Sequence, residues 1–326
     1  MKAIVYETYG SPDVLQFKEV EKPTPKSNQI LIKILATTVT SADWRVRSLT
    51  VPTGFKLMVR LVFGLSKPKQ PILGTELAGV IESLGDAVTQ FKVGDAVFAF
   101  NDAAMGCHTQ YKCMSQDSAI ALKPANLSFE EAAAMSFGGT TALSFFKRAK
   151  LQRGESVLIN GASGAVGTAA VQLAKHFGAN VTAVCSTPNV DLVTSLGADH
   201  VIDYTSEDFT QNGKTYDVIM DTAGTAPFKR SKVSLKPKGR LLLVLAGLPD
   251  MLPMLWVSLL SDKKIIAGPA SGKADDLRFL AGLVKAGEFK PVIDRCYPFE
   301  LIADAHRYVD TGRKKGNVVI VVQHDD

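Results

Sequence analysis

The segment SVLINGASGAVGTAAVQLAKHFGA, Ser156 to Ala179, constrains the fold of this chain more than any other stretch. Val157, Leu158 and Ile159 form an apolar, β-rich run of the length a buried parallel strand needs. Gly161, Gly164 and Gly167 follow at three-residue spacing. Ala169, Ala170, Leu173 and Ala174 then recur at helical spacing among good helix formers, and Gly178 supplies a stop. Strand, glycine turn and helix in that order make the phosphate-binding turn of a dinucleotide fold. The turn must be tight, the backbone must approach a pyrophosphate, and the helix N-terminus offers unpaired N–H groups and a positive dipole. Glycine spacing alone carries little; the flanking strand and amphipathic helix give it weight.

The end of the next strand, VTAVC (Val181 to Cys185), bears on which dinucleotide. An NAD site places an acid there, about 20 residues past the glycines, to hold the ribose 2′-hydroxyl. Here the chain reads Ser186-Thr187-Pro188-Asn189, with no acid. Ser186, Thr187 and Asn189 offer donors to a 2′-phosphate, which favours NADPH over NADH. The alternative is a polar loop with no preference, since no Arg or Lys sits in it.

At 326 residues the chain has room for two domains, each with its own core. With 46% apolar and 21% charged residues it reads as a soluble globular protein. The net charge of +5 is spread out, which does not imply nucleic acid; it suits an anionic cofactor and allows peripheral contact with an anionic membrane surface. Cys107, Cys113, Cys185 and Cys296 form no CxxC pair and no ligand cluster, and read as free thiols in a reducing, cytoplasmic compartment. No signal peptide is expected at MKAIVYETYG. The most lipophilic stretch, Leu241 to Leu260, contains Asp250 and is broken by Pro249 and Pro253, so no integral membrane span is expected.

Up to about residue 123 the chain is rich in strands and turns. Ala3–Tyr6, Gln29–Thr37, Leu77–Leu84 and Ala96–Phe100 are candidate strands, without alternating helices. That pattern indicates an antiparallel or barrel-like unit. From Phe129 helical patterns begin, and strands then alternate with helices through Ile265–Ala267, which indicates a doubly wound parallel sheet. Helices at Asp275–Ala286 and Leu301–Val309 and a last strand at Asn317–Gln323 return to the first style. The expected fold is α/β, with residues 1–123 and 271–326 forming one domain and residues 124–270 inserted as the nucleotide domain.

Taken together, these residues resemble the medium-chain dehydrogenase/reductase superfamily, and within it the zinc-independent quinone oxidoreductase-like enzymes. MKAIVYETYGSPDVL, VTSADWRVRS, PILGTELAGVIESLGDAVTQFKVGDAVFA, the glycine turn and TGRKKGNVVI occur in the family's order and cover essentially the whole chain. The resemblance implies a GroES-like β-barrel domain plus a Rossmann domain, with the active site in the cleft between them. Zinc-dependent members carry a Cys three residues before the Asp matched by Asp43, and a His between the residues matched by Gly74 and Glu76. This chain has Thr40 and Thr75 there, neither a usual zinc ligand, so no metal is expected.

Cofactor positions carry over from the resemblance one at a time. Ser163, Gly164, Ala165 and Val166 match the pyrophosphate turn. Ser186 starts the 2′-phosphate loop, Asn189 stands where many relatives have Lys, and Tyr204 matches a Tyr contacting the same phosphate. Thr140 matches a Thr near the nicotinamide, Leu245, Ala246 and Gly247 the wall behind it, and Asn317 a polar residue on the cofactor's far side. For Thr140 and Asn317 the alternative is an ordinary turn residue. Thr40, Asp43 and Trp44 are cleft-lining candidates with no established proton donor among them, and Asp43 reads better as a helix cap than as an acid.

The long, basic, apolar segment from Val51 to Lys69 reads as a helix packed on the barrel, ahead of a substrate lid or a membrane-surface patch. The function implied is NADPH-dependent reduction of quinones or α,β-unsaturated carbonyls, with a small electrophilic acceptor as partner, by a monomer or homodimer. The alternatives are a non-catalytic or regulatory NADPH-binding protein on the same fold and an alcohol dehydrogenase-like activity, which the missing Lewis acid supports poorly.

Overall fold

The opening residues KAIV form β1 (Lys2–Val5), paired antiparallel with β2 (Gln16–Glu19). A computed structural model describes residues 1–324 and divides the chain into two units. The first comprises Met1–Val51, Lys56–Phe137 and Gly272–Asp326; the second comprises Pro52–Phe55 and Gly138–Ser271. In the first unit, β3 (Gln29–Val39) sends Ile30, Ile32 and Ile34 to one core at strand period, where they meet Leu77, Ile81 and Val97. It is followed by α1 (Ser41–Ser48), α2 (Lys56–Phe63), β4 (Glu76–Leu84), β5 (Ala96–Phe100), β6 (Tyr111–Ser115), β7 (Ile120–Leu122) and α3 (Phe129–Ala133).

Two expectations are refined here. Lys56–Phe63 is the expected helix on the first unit, but it packs there only through one partly buried residue, and none of its residues is fully buried. Its apolar contact is Phe63, half-buried against Tyr6, Val46, Leu73 and Met105. The second change is the boundary expected at 123/124. α3 starts in a capping box, with the Ser128 hydroxyl accepting from Glu131 N–H (3.1 Å) and the Glu131 carboxylate from Ser128 N–H (3.0 Å). Its buried Ala132 and Ala133 pack on β3, β4 and β5, so residues 124–137 group with the first unit.

The second unit alternates strand and helix: α4 (Ser136–Ala149, which starts in the first unit), β8 (Ser156–Asn160), α5 (Ala165–His176), β9 (Asn180–Cys185), α6 (Val190–Ser195) and β10 (His200–Asp203). After these come β11 (Tyr216–Asp221), α7 (Phe228–Ser231), β12 (Leu235–Leu243), α8 (Leu248–Met251), α9 (Pro253–Leu260) and β13 (Lys264–Ala267). The strands pair in parallel in the order β10-β9-β8-β11-β12-β13. The chain leaves β8 toward one edge and returns to the other side at β11. Ligands of such sheets bind outside the carboxyl ends of the strands at that switch. α4 runs through Gly138 and Gly139 without a break.

The last segment adds α10 (Ala274–Lys285), β14 (Ile293–Pro298), α11 (Ile302–Asp310) and β15 (Asn317–Val321) to the first unit. β15 pairs antiparallel with β3 and parallel with β14, giving the order β14-β15-β3-β4-β5-β7 with β6 also on β3. Arg47 of α1, with its side chain fully buried, donates to both carboxylate oxygens of Asp310 (2.6 and 2.5 Å) and to the Gly10 carbonyl (3.1 Å).

Candidate functional site

In the second unit the three glycines have three separate jobs. Gly161 takes φ +81°, and its N–H and that of Ala162 both donate to the Val184 carbonyl (3.1 and 3.0 Å), fastening the turn to β9. A Cβ on Gly167 would lie 2.1 Å from the Gly161 carbonyl oxygen, so only glycine lets α5 sit this close to the turn. Gly164 differs. It caps α5 with no side-chain hydrogen bond, and a Cβ there would meet nothing nearer than 3.7 Å. The space is open, and it lies where the helix leaves its first N–H groups without intrahelical acceptors. A Cβ on Gly138 would fall 2.4 Å from the Ala165 carbonyl oxygen, so α4 crosses the start of α5 closely, with buried Thr140 two residues further on. Sequence reading missed Gly138.

The loop after β9 gathers Ser163, Ser186 and Asn189. The Asn189 amide donates to the hydroxyls of Ser163 (3.3 Å) and Ser186 (3.1 Å), and its buried Oδ1 has no hydrogen-bond partner. Tyr204 N–H donates to the Cys185 carbonyl (3.0 Å), which holds its exposed ring beyond the end of β9. An acid is present here after all. Register pairs Asp203 of β10 with Cys185, and Asp203 accepts from the hydroxyl of Thr187 (2.5 Å) and from the N–H (2.9 Å) and hydroxyl (2.7 Å) of Thr205. These bonds, the one from Thr187 foremost, hold its carboxyl below the usual range. Its place beside Cys185 is set by strand register, which the order of residues after β9 does not contain.

Asp221 ends β11 and gathers the turns around it. Its carboxylate accepts from the Asn160 amide (2.9 Å) and from the N–H groups of Ala223 (3.0 Å), Gly224 (2.9 Å) and Ala226 (2.8 Å). Its backbone carbonyl accepts from Val244 N–H (3.0 Å), just ahead of Leu245, Ala246 and Gly247. Gly247 N–H in turn donates to the Asp250 carboxylate (2.9 Å). Leu245, Ala246 and Gly247 therefore sit at the carboxyl edge of the sheet. Asp221 too was missed.

In the first unit, Thr40 and Asp43 form the capping box of α1. The Thr40 hydroxyl and N–H both donate to Asp43 Oδ2 (2.6 and 2.8 Å), and Gly74 N–H donates to Oδ1 (2.8 Å). Asp43 is thus a cap, placed three residues inside the boundary. Trp44 is half-buried, with the Arg45 guanidinium 4.8 Å from its ring centre. Thr75 stands apart: its hydroxyl is buried and has no partner. Next to it in sequence, fully buried Glu76 accepts from the Thr38 hydroxyl (2.5 Å) and Phe137 N–H (2.6 Å). Burial pushes its carboxyl up to about 7, while the charge of Lys314 works against that rise. His108 meets the Thr38 carbonyl through Nε2 (2.9 Å) and faces His306 edge to face at 5.7 Å, where both ring nitrogens of His306 lack partners. Asn317 is buried at the start of β15, its amide donating to the Val292 carbonyl (3.0 Å).

One family model, described as the alcohol dehydrogenase GroES-like domain, matches residues 26–150, and another, described as zinc-binding dehydrogenase, matches residues 196–320. A 2-methylene-furan-3-one reductase from Solanum lycopersicum is 34% identical over 98% of this chain and 79% of its own length. The chain belongs to the medium-chain dehydrogenase/reductase superfamily. Other relatives match across nearly the whole of this chain. An NADPH-dependent alkenal/one oxidoreductase, chloroplastic, from Arabidopsis thaliana is 32% identical over 98% of this chain and 79% of its own. The solved structure of a quinone oxidoreductase from Coxiella burnetii superimposes with a TM-score of 0.87 at 28% identity, covering 99% of both chains. The zinc in the second family description does not suit the donors present. The Thr40 hydroxyl is committed to Asp43, Thr75 offers a second hydroxyl, and zinc takes thiolate, imidazole or carboxylate. Among the described residues no group of three His, Cys, Asp or Glu is placed to hold a metal ion.

Proposed function

We propose that this medium-chain reductase transfers hydride from NADPH to a conjugated acceptor, a quinone or the β-carbon of an enal or enone. The observation that carries the reading is the glycine turn. The open position at Gly164 and the free end of α5 fit a dinucleotide phosphate, and the unpartnered Asn189 Oδ1 leaves that amide free to turn over. Turned over, the Asn189 amide accepts from the two serine hydroxyls and directs its N–H toward a 2′-phosphate. Asp203 is occupied by its threonine donors and does not take the place of a ribose-binding acid. Bound NADPH supplies the hydride, and the chain's own residues bind, orient and donate.

A conjugated acceptor spreads the arriving charge onto a distant oxygen, which a well-placed hydrogen-bond donor stabilises. The Thr40 hydroxyl, a candidate on sequence, is spent on Asp43, so we assign that donation to Thr75. Water delivers the final proton. The acceptor is a small electrophile, and the protein acts as a monomer or homodimer. Its four free thiols suit the reducing cytoplasm. Peripheral contact with a membrane belongs to the same reading and rests on α2; among the described residues no helix is long and apolar enough to cross a membrane.

The test is reduction of a quinone and enal panel with 4-deuterated NADPH. Label at the β-carbon of the enal product supports the reading, and label at the carbonyl carbon overturns it. Absence of NADPH oxidation across the panel leaves a cofactor-binding protein instead. Thr75→Val should lower kcat about tenfold, roughly one neutral hydrogen bond in the transition state.

A further inference from the structure

β6 sends a lysine toward the inside of the first unit. Met114 of that strand lies in the core with Ile30, Ile32 and Cys107, and residues two apart on a strand share a face, so Lys112 starts from the same side. It is half-buried. Burial pushes the Cys107 thiol up, and the charge of Lys112 opposes that rise, which sets the ammonium close to this buried residue. Among the described residues no hydrogen bond and no ion pair reaches the Lys112 ammonium.

Gly106 shows where that ammonium points. A Cβ there would lie 2.6 Å from Lys112 Nζ and 3.2 Å from Gln70 Nε2, so two donors converge on a spot left free by the missing side chain. Gln70 is half-buried too, and its Oε1 accepts from Ile72 N–H (3.3 Å), which leaves Nε2 as the donor without an acceptor. One positive charge beside one neutral amide matches a monoanion with two oxygens. A carboxylate is such a group, whereas a phosphate dianion calls for more donors and more charge.

The spot adjoins Thr75. The loop from Asp102 to Gly106 leaves and rejoins the fold on either side of the Gly74–Thr75 peptide: Asn101 N–H donates to the Thr75 carbonyl (2.7 Å) and Cys107 N–H to the Gly74 carbonyl (3.2 Å). Two residues of the loop that are not glycine take positive φ, Asp102 at +42° and Met105 at +50° with ψ −152°. The Asn101 amide donates to the Met105 carbonyl, and the Met105 side chain is packed with Tyr6, Val46 and Leu73, so the loop is held in this shape. Strained backbone that its surroundings over-determine gathers at ligand sites.

We propose that Lys112 Nζ and Gln70 Nε2 form a carboxylate subsite, and that the protein reduces enones and enals carrying an acid group. This rests on the reductase reading, in which the Thr75 hydroxyl takes the carbonyl oxygen; the acid group is held at Gly106.

The test compares enones bearing a terminal carboxylate, on alkyl chains of increasing length, with their methyl esters in NADPH oxidation. At the fitting chain length the native protein should favour the acid about tenfold in kcat/KM, in keeping with one charge-assisted hydrogen bond. Lys112→Met should abolish that preference and Lys112→Glu reverse it. Gln70→Leu should lower it about threefold, the share of a neutral amide donor. Lys92→Met, which removes an equal charge from the exposed surface, should keep it. Native protein that treats acid and ester alike, or a preference that survives Lys112→Met, overturns the proposal. So does its loss in Lys92→Met, which would mean that overall charge attracts the acid. Calorimetric titration with the saturated keto acid reads the subsite without turnover. Binding that Lys112→Met weakens, with no NADPH oxidation by any acceptor, overturns the reductase reading and leaves the subsite in place.

Discussion

The turn at Gly161–Gly167 is built from the backbone of successive residues, whereas the polar group around Glu76 and His108 draws on β3, β4, α11 and the loop before β6. In the turn, what matters is where a side chain is missing, and spacing reveals it. In the first unit, what matters is which polar side chains meet across long stretches of chain, and no local pattern reports that. Phosphate binding by backbone tolerates much sequence change around fixed glycines. A buried polar cluster depends on every partner staying satisfied.

The strongest way to break this contrast is at Arg47 and Asp310, which join distant parts of the first unit. Arg47→Met should cost about 3–5 kcal/mol in denaturant unfolding, because it leaves a carboxylate without its buried partner. A cost near zero would mean that the long-range pair does not hold this unit together. Next is Gly167→Ala, whose Cβ overlaps the Gly161 carbonyl at 2.1 Å. A loss of about 1–3 kcal/mol is expected from that overpacking, measured by the same unfolding curve.

Gly164→Ala sharpens the contrast within the turn. The position is open, so stability should hold, but the added methyl enters the phosphate's space and NADPH should bind about tenfold more weakly, roughly 1.4 kcal/mol. Fluorescence titration beside a melt separates the two effects, and a stability loss matching that at Gly167 would erase the distinction.

The smallest effect concerns pH. Burial drives the His306 pKa well below 6.5, with the nearby His108 and Arg47 adding to it. Below about 6.5 the unfolded chain binds a proton that the folded chain refuses, so this contribution is fully present above 6.5 and is lost as pH falls, by at most about 1.4 kcal/mol per unit. Glu76 acts oppositely: with its carboxyl raised from 4.5 to about 7, its contribution is present below 4.5 and is lost as pH rises toward 7. His306→Leu should flatten the acid side of the stability profile relative to the native chain. An unchanged slope in melts at stepped pH would show that the buried imidazole does not control it.

Strand, turn and helix at Val157–Ala174 were legible because each signal is local: an apolar run, glycine spacing, helical periodicity. So were β3, β4 and β5, whose hydrophobic runs end at turn residues. Asp203 was not, because its nearness to Cys185 is a matter of strand register. Gly138 was overlooked because its reason is a crossing helix. The commitment of Thr40 to Asp43, and the orphaned hydroxyl of Thr75, are facts of hydrogen-bond accounting that residue types alone do not contain. The thin packing of α2 was invisible as well: periodicity shows that a helix has an apolar side, not what covers it.

The pairing of β15 with β3 also sets a timetable. β3 is made well before Asn317–Val321, which covers the Ala36–Val39 part of one of its edges beside β6. The second unit, continuous from Gly138 to Ser271 apart from Pro52–Phe55, is fully synthesised before that edge is covered. Throughout that interval β3 presents open backbone donors and acceptors of the kind that recruit other strands. A message cut short before Asn317 leaves that edge open for good, and its product is a candidate for aggregation and proteolysis even though every residue of the nucleotide turn has already been made.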